Sequence, residues 1–238
     1  MTKAAIGIIN LDVEPERVAP QEDTPGFLRN DATLPFRVKR EIARGATIDR
    51  VVRGDPELIP SFTAAAKALE ARGVKAIIGD CGFISSYQTD VASAVNVPFY
   101  SSSLLLVPLA YQATGRRVGI ITAEAKNLSE RHFKAVGWTS TEIPVAIKGM
   151  DEYPLENWTP LTDGWKNMKN LIKLTGEMLR ESLDVGSLVF ECTMIQPYAG
   201  AISEDTALPV YDITTLARLA YSTVNPPRYG WARKPAPT

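Results

Sequence analysis

Only two cysteines and one histidine occur in the 238 residues. Two thiols make no disulfide framework, and alone they cannot close a four-ligand zinc site. His132 is the one imidazole that could join them. It lies in "SERHFKAVG", a predicted helix, where a solvated surface position is expected. Charge of one sign is also lacking. Lys plus Arg number 26 and Asp plus Glu 27, a formal net charge of −1. That balance offers no electrostatic footprint for nucleic acid or a membrane surface. No apolar run is long enough to cross a bilayer, because the stretch from Leu104 to Tyr111 is interrupted by Pro108. The opening "MTKAAIGIIN" carries one lysine and no cleavage pattern of a signal peptide. It reads as a first strand, and the protein as cytoplasmic. "GKS" and "GKT" are missing, and no "GxG" stands at a strand end, which removes the P-loop and dinucleotide readings.

What is present is ordinary for a folded chain: 45 % hydrophobic and 22 % charged residues, enough for one large domain or two small ones. The two cysteines share a local setting. "GDCGFISSY" and "FECTMIQPY" each place a cysteine after a short apolar run and an acid. Cys81 and Cys192 stand 111 positions apart, and other residues fall into the same register: Ile84 with Ile195, Tyr87 with Tyr198, Pro98 with Pro209, Tyr100 with Tyr211, Leu105 with Leu216. Upstream, "IGIIN" matches "VGIIT" with Gly7 and Gly119 offset by 112. The reading is two copies of one α/β unit.

Periodicity agrees. "AAIGIIN", "VKAIIGD", "RRVGIITA" and "VGSLVFE" are bare apolar runs, as in buried parallel strands. "GDPELIPSFTAAAKALEARG" starts with Asp55 as N-cap and Pro56 at the first helical position, places Phe62, Ala65, Ala66 and Leu69 on one face, and stops at Gly73. "GWKNMKNLIKLTGEMLRESL" predicts a long helix with Trp165, Met168, Ile172, Leu179 and Leu183 on one face. Strands alternating with helices argue for an α/β fold of two pseudo-symmetric domains, each with a mostly parallel sheet flanked by helices. The stretch from Asn10 to Phe36 is expected to be a lid, a binding loop or disordered. The tail from Asn225 is Pro-rich and expected to be irregular.

Ligands of such sheets bind at the carboxyl ends of the strands, where Cys81, Cys192, Asn10 and Thr122 are all expected. Two units packed about a pseudo-twofold axis would set the thiols on opposite sides of one small ligand, in a cleft between the domains. A helix following each cysteine is expected to favour some thiolate. Thiolate on one face could remove a proton from carbon, and thiol on the other could return one, inverting a stereocentre with no metal and no organic cofactor. Asp80 and Glu191 oppose this, since a nearby carboxylate disfavours thiolate. Alternation along a strand is expected to turn them away.

With these residues the chain resembles the aspartate/glutamate racemase superfamily, which includes hydantoin racemases, maleate isomerases and arylmalonate decarboxylases. The resemblance runs over nearly the whole chain. It implies two pseudo-symmetric α/β domains, residues 1–105 plus 212–238 and residues 106–211, with a cofactor-free site between them. It makes Cys81 and Cys192 the two acid/base residues. Departures are visible. The first cysteine is followed by Gly82 and Phe83, where amino-acid racemases carry Asn-Thr. Thr193 follows the second, but Met194 takes the place of His or Glu. A less polar substrate than glutamate or aspartate is implied. Asn10, Gly82, Phe83, Ser102, Ser103, Thr122 and Thr193 are the candidate binding residues, with ordinary turn chemistry an equal reading for the serines. Arg29 reads better as a solvated loop residue, and Phe83 and Tyr87 as core. The activity expected is racemisation or epimerisation of a small carbonyl compound with an acidic α-hydrogen. A cis–trans isomerase or decarboxylase on the same scaffold is the alternative, and a non-catalytic small-molecule binding protein a further one. A homo-oligomer is expected, with no nucleic-acid or membrane partner.

Overall fold

The computed structural model describes residues 5–151, 153, 160–227 and 229. It contains two wholly parallel four-stranded sheets. The first comprises β1 (Ile6–Leu11), β2 (Val38–Ala43), β3 (Ala76–Gly79) and β4 (Phe99–Tyr100), in the order β2-β1-β3-β4. The second comprises β5 (Arg117–Thr122), β6 (Val145–Gly149), β7 (Val185–Phe190) and β8 (Val210–Tyr211), in the order β6-β5-β7-β8. Adding four to each strand number converts one order into the other. In chain order the helices are α1 (Pro15–Asp23), α2 (Ile48–Arg53), α3 (Ile59–Ala71), α4 (Gln88–Ser93) and α5 (Val107–Thr114), the last packed on β5 and β7 of the second sheet. Then come α6 (Glu130–Ala135), α7 (Pro160–Glu181), α8 (Ala199–Thr206) and α9 (Ile213–Val224).

The repeat extends to single hydrogen bonds. The Asp80 N–H donates to the Ile9 carbonyl, and the Glu191 N–H to that of Ile121. Ile77 donates to Pro98 as Leu188 does to Pro209, and Ile84 to Cys81 as Ile195 does to Cys192. The paired glycines have a shared reason. A Cβ on Gly7 would meet Leu69 of α3 at 2.9 Å, and one on Gly119 would meet Met178 of α7 at 2.6 Å. At both places a helix closes directly onto a central strand.

Three apolar clusters form the core. The largest bridges the halves, joining Ile9, Phe62 and Phe83 to Val118, Phe133 and Trp138. A second fills the space between β5, β7, α7 and α8. The third packs Ile213, Leu216 and Ala220 of α9 against Ile6, Ile8 and Ile78, so the last helix returns to the first sheet. Asp212 fixes its start by accepting the Thr215 N–H at 2.8 Å.

Helix α3 matches its expected register. Asp55 accepts the Glu57 N–H at 3.0 Å, capping a short 3-10 turn over Pro56–Leu58 before the α-helix, and Phe62, Ala65, Ala66 and Leu69 are buried. Three expectations are corrected. Helix α7 buries Leu171, Leu174 and Met178; of the expected face Ile172 and Leu179 pack partly buried beside them, whereas Trp165 is 69 % exposed and Leu183, beyond the helix end, 83 % exposed; the seat above Gly119 selects the face. His132 is fully buried, its Nδ1 accepting the Ser129 N–H at 3.1 Å in a capping box. Burial, with Arg131 nearby, pushes its pKa down to about 4. The segment after Asn10 is not featureless: it holds α1 and then buries Phe27 and Leu28. The reading of the Pro-rich tail falls, from residue 230 on, outside the described residues. Among the described residues no helix is long and apolar enough to cross a membrane.

Candidate active site

Strands β3 and β7 end beside each other, and the turn after each carries a cysteine. Cys81 and Cys192 line one cavity of about 290 Å³. Cys192 is 7 % exposed, and Cys81 is the more open of the two. The two turns are docked into one another. The Thr193 hydroxyl donates to the Asp80 carbonyl at 3.1 Å. In return, Gly82 lies so close to Glu191 that a Cβ there would overlap both its carboxylate and its carbonyl. Glycine after the first cysteine is thus the residue that lets Glu191 approach. Gly82, Phe83 and Thr193 all line the cavity.

The other candidates stand one step back. The Asn10 amide donates to Asp80 Oδ2, and the Thr122 hydroxyl donates to Glu191 Oε2 at 2.7 Å. Neither lines the cavity; each holds an acid that does. The serines are absent from the lining as well. Ser102 Oγ accepts the Leu104 N–H, and the Ser103 hydroxyl donates to the Phe190 carbonyl at 2.6 Å. Their hydroxyls cap a turn and tie the halves together.

Both acids are among the residues that line the cavity, whereas strand alternation was expected to turn them away from it. The strands end at Gly79 and Phe190, so alternation no longer governs the next residue. Arg29 is likewise not solvated. Its side chain is 9 % exposed, its Nε donates to Asp80 Oδ2 at 3.1 Å, and its Nη2 donates to the Leu11 carbonyl. Burial raises the Asp80 pKa, while Arg29 and Asn10 pull it back. Glu191 is 1 % exposed and its Oε1 has no hydrogen-bond partner among the described residues. Burial pushes its pKa up to about 7, against the Thr122 hydroxyl and the Ala123 N–H. The helical turns after the cysteines do not activate the thiols. Burial and then the Glu191 charge raise Cys81 well above its ordinary value, and the same two causes push Cys192 up to about 12. Backbone N–H groups of Phe83, and of Met194 and Ile195, oppose these shifts without reversing them.

The rest of the cavity is apolar wall and charged mouth. Leu11, Val13, Ile48, Val52 and Met194 form the wall; the lining is completed by Arg17 of α1 and Asp49 of α2, both exposed, and by the half-buried Gln21 and Glu124. Arg29, Glu191 and Arg17 are the site residues not anticipated. Glu191 had a signal, since it aligns with Asp80 one place before each cysteine. Arg29 and Arg17 had none, because none of the residue pairs that mark the repeat falls between Asn10 and Phe36. Among the described residues no cluster of three or more His, Cys, Asp or Glu is placed to hold a metal ion.

The chain has the fold of the aspartate/glutamate racemase superfamily. An allantoin racemase from Klebsiella pneumoniae superposes with a TM-score of 0.64 at 14 % identity, covering 92 % of this chain and 86 % of that one. A variant of arylmalonate decarboxylase gives 0.62 at 14 % identity over 94 % of both chains. A glutamate racemase from Bacillus anthracis gives 0.61 at 16 % identity over 94 % and 82 %. In sequence, the chain is similar to dimethylsulfoniopropionate lyase 7 of Emiliania huxleyi, 26 % identical over 95 % of this chain and 69 % of that protein. It is 25 % identical to a dimethylsulfoniopropionate lyase of Durusdinium sp. clade D, over 95 % and 77 %. No family model matches the chain.

Proposed function

We propose that the chain is a cofactor-independent lyase that removes a proton from the carbon next to a carboxylate and expels a leaving group from the following carbon. Its substrate would be a small zwitterion of the dimethylsulfoniopropionate kind. The observation that carries this reading is the convergence of both thiols on one small cavity with an apolar wall, acids within and a cation at the mouth. Racemisation and β-elimination share a first step, proton removal beside a carbonyl or carboxylate. The outcome depends on the substrate: an intermediate with an onium group on the next carbon collapses by losing it. The sequence relatives named as lyases favour elimination over inversion.

The residues divide the work. Cys81, the more open thiol, acts as the base. Cys192, buried and with its pKa pushed up to about 12, stays protonated and donates toward the developing negative charge. Arg17 and Gln21 reach the carboxylate of the substrate from α1. The acids and the apolar wall receive the methylated cation, which a site built for glutamate would not suit.

The test is incubation with dimethylsulfoniopropionate in deuterium oxide, with dimethyl sulfide followed in the headspace and the α-carbon by NMR. Release of the thioether, lost when Cys81 is changed to Ala, supports the reading. A panel of chiral amino acids and hydantoins runs beside it. Inversion with α-deuteration of one of these, and no thioether release, would establish the racemase instead.

A further inference from the structure

Glu191 is one of the acids of the cavity, and no proton transfer has been assigned to it in the elimination between the two thiols. Four observations set it apart. It is 1 % exposed, yet it lines the cavity. Its Oε2 is fixed by the Thr122 hydroxyl, which leaves Oε1 without a partner among the described residues. That free oxygen lies against Gly82, the residue joined to Cys81. Among the described residues no arginine or lysine forms an ion pair with it, in contrast to Asp80 with Arg29. A buried carboxylate oxygen left without a donor is costly, and beside a thiol it is a proton acceptor in waiting.

We propose that Glu191 is the proton partner of Cys81, accepting the thiol proton on Oε1 so that the sulfur can act on carbon. This deepens the lyase reading and rests on it. The S–H bond of Cys81 breaks, the proton goes to Glu191 Oε1, and the electron pair stays on sulfur. The thiolate then takes the α-proton of the substrate, and the carbon electron pair expels the thioether with its own C–S pair. Glu191 afterwards gives its proton to water at the mouth, so one proton is released per turnover. The charged and titratable groups that share the cavity with Glu191 are Cys81 and Asp80 after β3, Cys192 in its own turn, Arg29 behind Asp80, Glu124 after β5, and Arg17 and Asp49 at the opening. Of the two thiols, Cys81 is the more open to a substrate, and it is joined to Gly82, against which Oε1 lies. Burial, and after it the charge of the Glu191 carboxylate, holds both thiols protonated at rest.

The experiment pairs two readouts on the full chain and on Glu191→Gln. The first is the rate of Cys81 alkylation by iodoacetamide against pH in the ligand-free protein, followed by mass spectrometry. With the neighbouring charge gone, the midpoint should move to lower pH. The second is kcat for dimethylsulfoniopropionate, expected to fall about 100-fold near pH 7 and to recover as rising pH ionises the thiol directly. An unmoved midpoint overturns the proposal. So does a moved midpoint with kcat intact, because Glu191 would then be only a charged neighbour. If Glu191→Gln does not fold, Thr122→Val serves: losing the hydroxyl that stabilises the carboxylate should carry the rising limb of kcat/KM to higher pH, and an unchanged limb overturns the proposal. Failure of the wild-type chain to cleave the substrate would sink the lyase reading, while the alkylation shift would still decide whether Glu191 and Cys81 are coupled.

Discussion

The two halves build the same backbone and then use it differently. In the first, Asp80 receives an amide from Asn10 and a guanidinium from Arg29. In the second, at the matching place, Glu191 receives the Thr122 hydroxyl and the Ala123 N–H and, among the described residues, no cation. One acid is compensated and structural; the other is a buried charge whose proton is nearly free to come and go at neutral pH. The repeat keeps the features the fold needs: strand order, ladder bonds and the glycines under the helices. The copies stop matching at the side chains just past the strand ends, where the paired cysteines are kept and the residues around them differ.

The comparison is broken most severely at sulfur. Changing either Cys81 or Cys192 to Ala should lower turnover of the substrate by about 10²- to 10⁴-fold, read by headspace assay; activity retained by both variants would remove the thiols from the chemistry. Arg29→Met should make Asp80 resemble Glu191 and then some. Leaving a buried carboxylate without its cation costs about 3–5 kcal/mol, visible as a lowered denaturation midpoint at constant m-value. Sharpening comes from pH. The Glu191 pKa is raised from 4.5 to about 7, so the folded state holds the extra proton, and stability from this group is lost as pH rises through that window. The loss is about 3 kcal/mol at roughly 1.4 kcal/mol per unit. His132 works the other way, gaining stability as pH rises from about 4 toward 6.5. The difference between Glu191→Gln and the parent therefore isolates Glu191: the variant should gain on the parent from about pH 4.5 to about pH 7, and parallel curves would deny the shift. Smallest of all, Thr193→Val removes the single hydrogen bond from the second cysteine turn to the Asp80 carbonyl and should cost about 1 kcal/mol in chemical denaturation.

Much of this architecture was legible in the residues. Bare apolar runs marked the central strands, and the register of Cys81 on Cys192 predicted a repeat that the strand orders reproduce. The site was legible only in part, for three physical reasons. Strand alternation cannot be carried past the last ladder residue, so the expectation that Asp80 and Glu191 face away does not hold. A helix with two apolar stripes, such as α7, does not say which one the sheet will choose until the gap over Gly119 is known. A single charged residue in an irregular stretch, such as Arg29, has no local pattern to reveal a partner 51 positions later. His132 belongs to the same group: its buried position follows from a capping box and a ring contact with Phe83, neither of which has a hydropathic period.

The return of α9 to the first sheet has a consequence for the chain as it is made. Ile6, Ile8 and Ile78 are covered by Ile213, Leu216 and Ala220, which leave the ribosome roughly 200 residues after the first strand they shield. At about 5–20 residues per second, the first strand waits roughly 10–40 s for its cover, and the four-stranded sheet, finished at Tyr100, roughly 6–20 s. Any stop before Asp212 would make that exposure permanent, and the truncated product should be sticky in the cell rather than merely inactive.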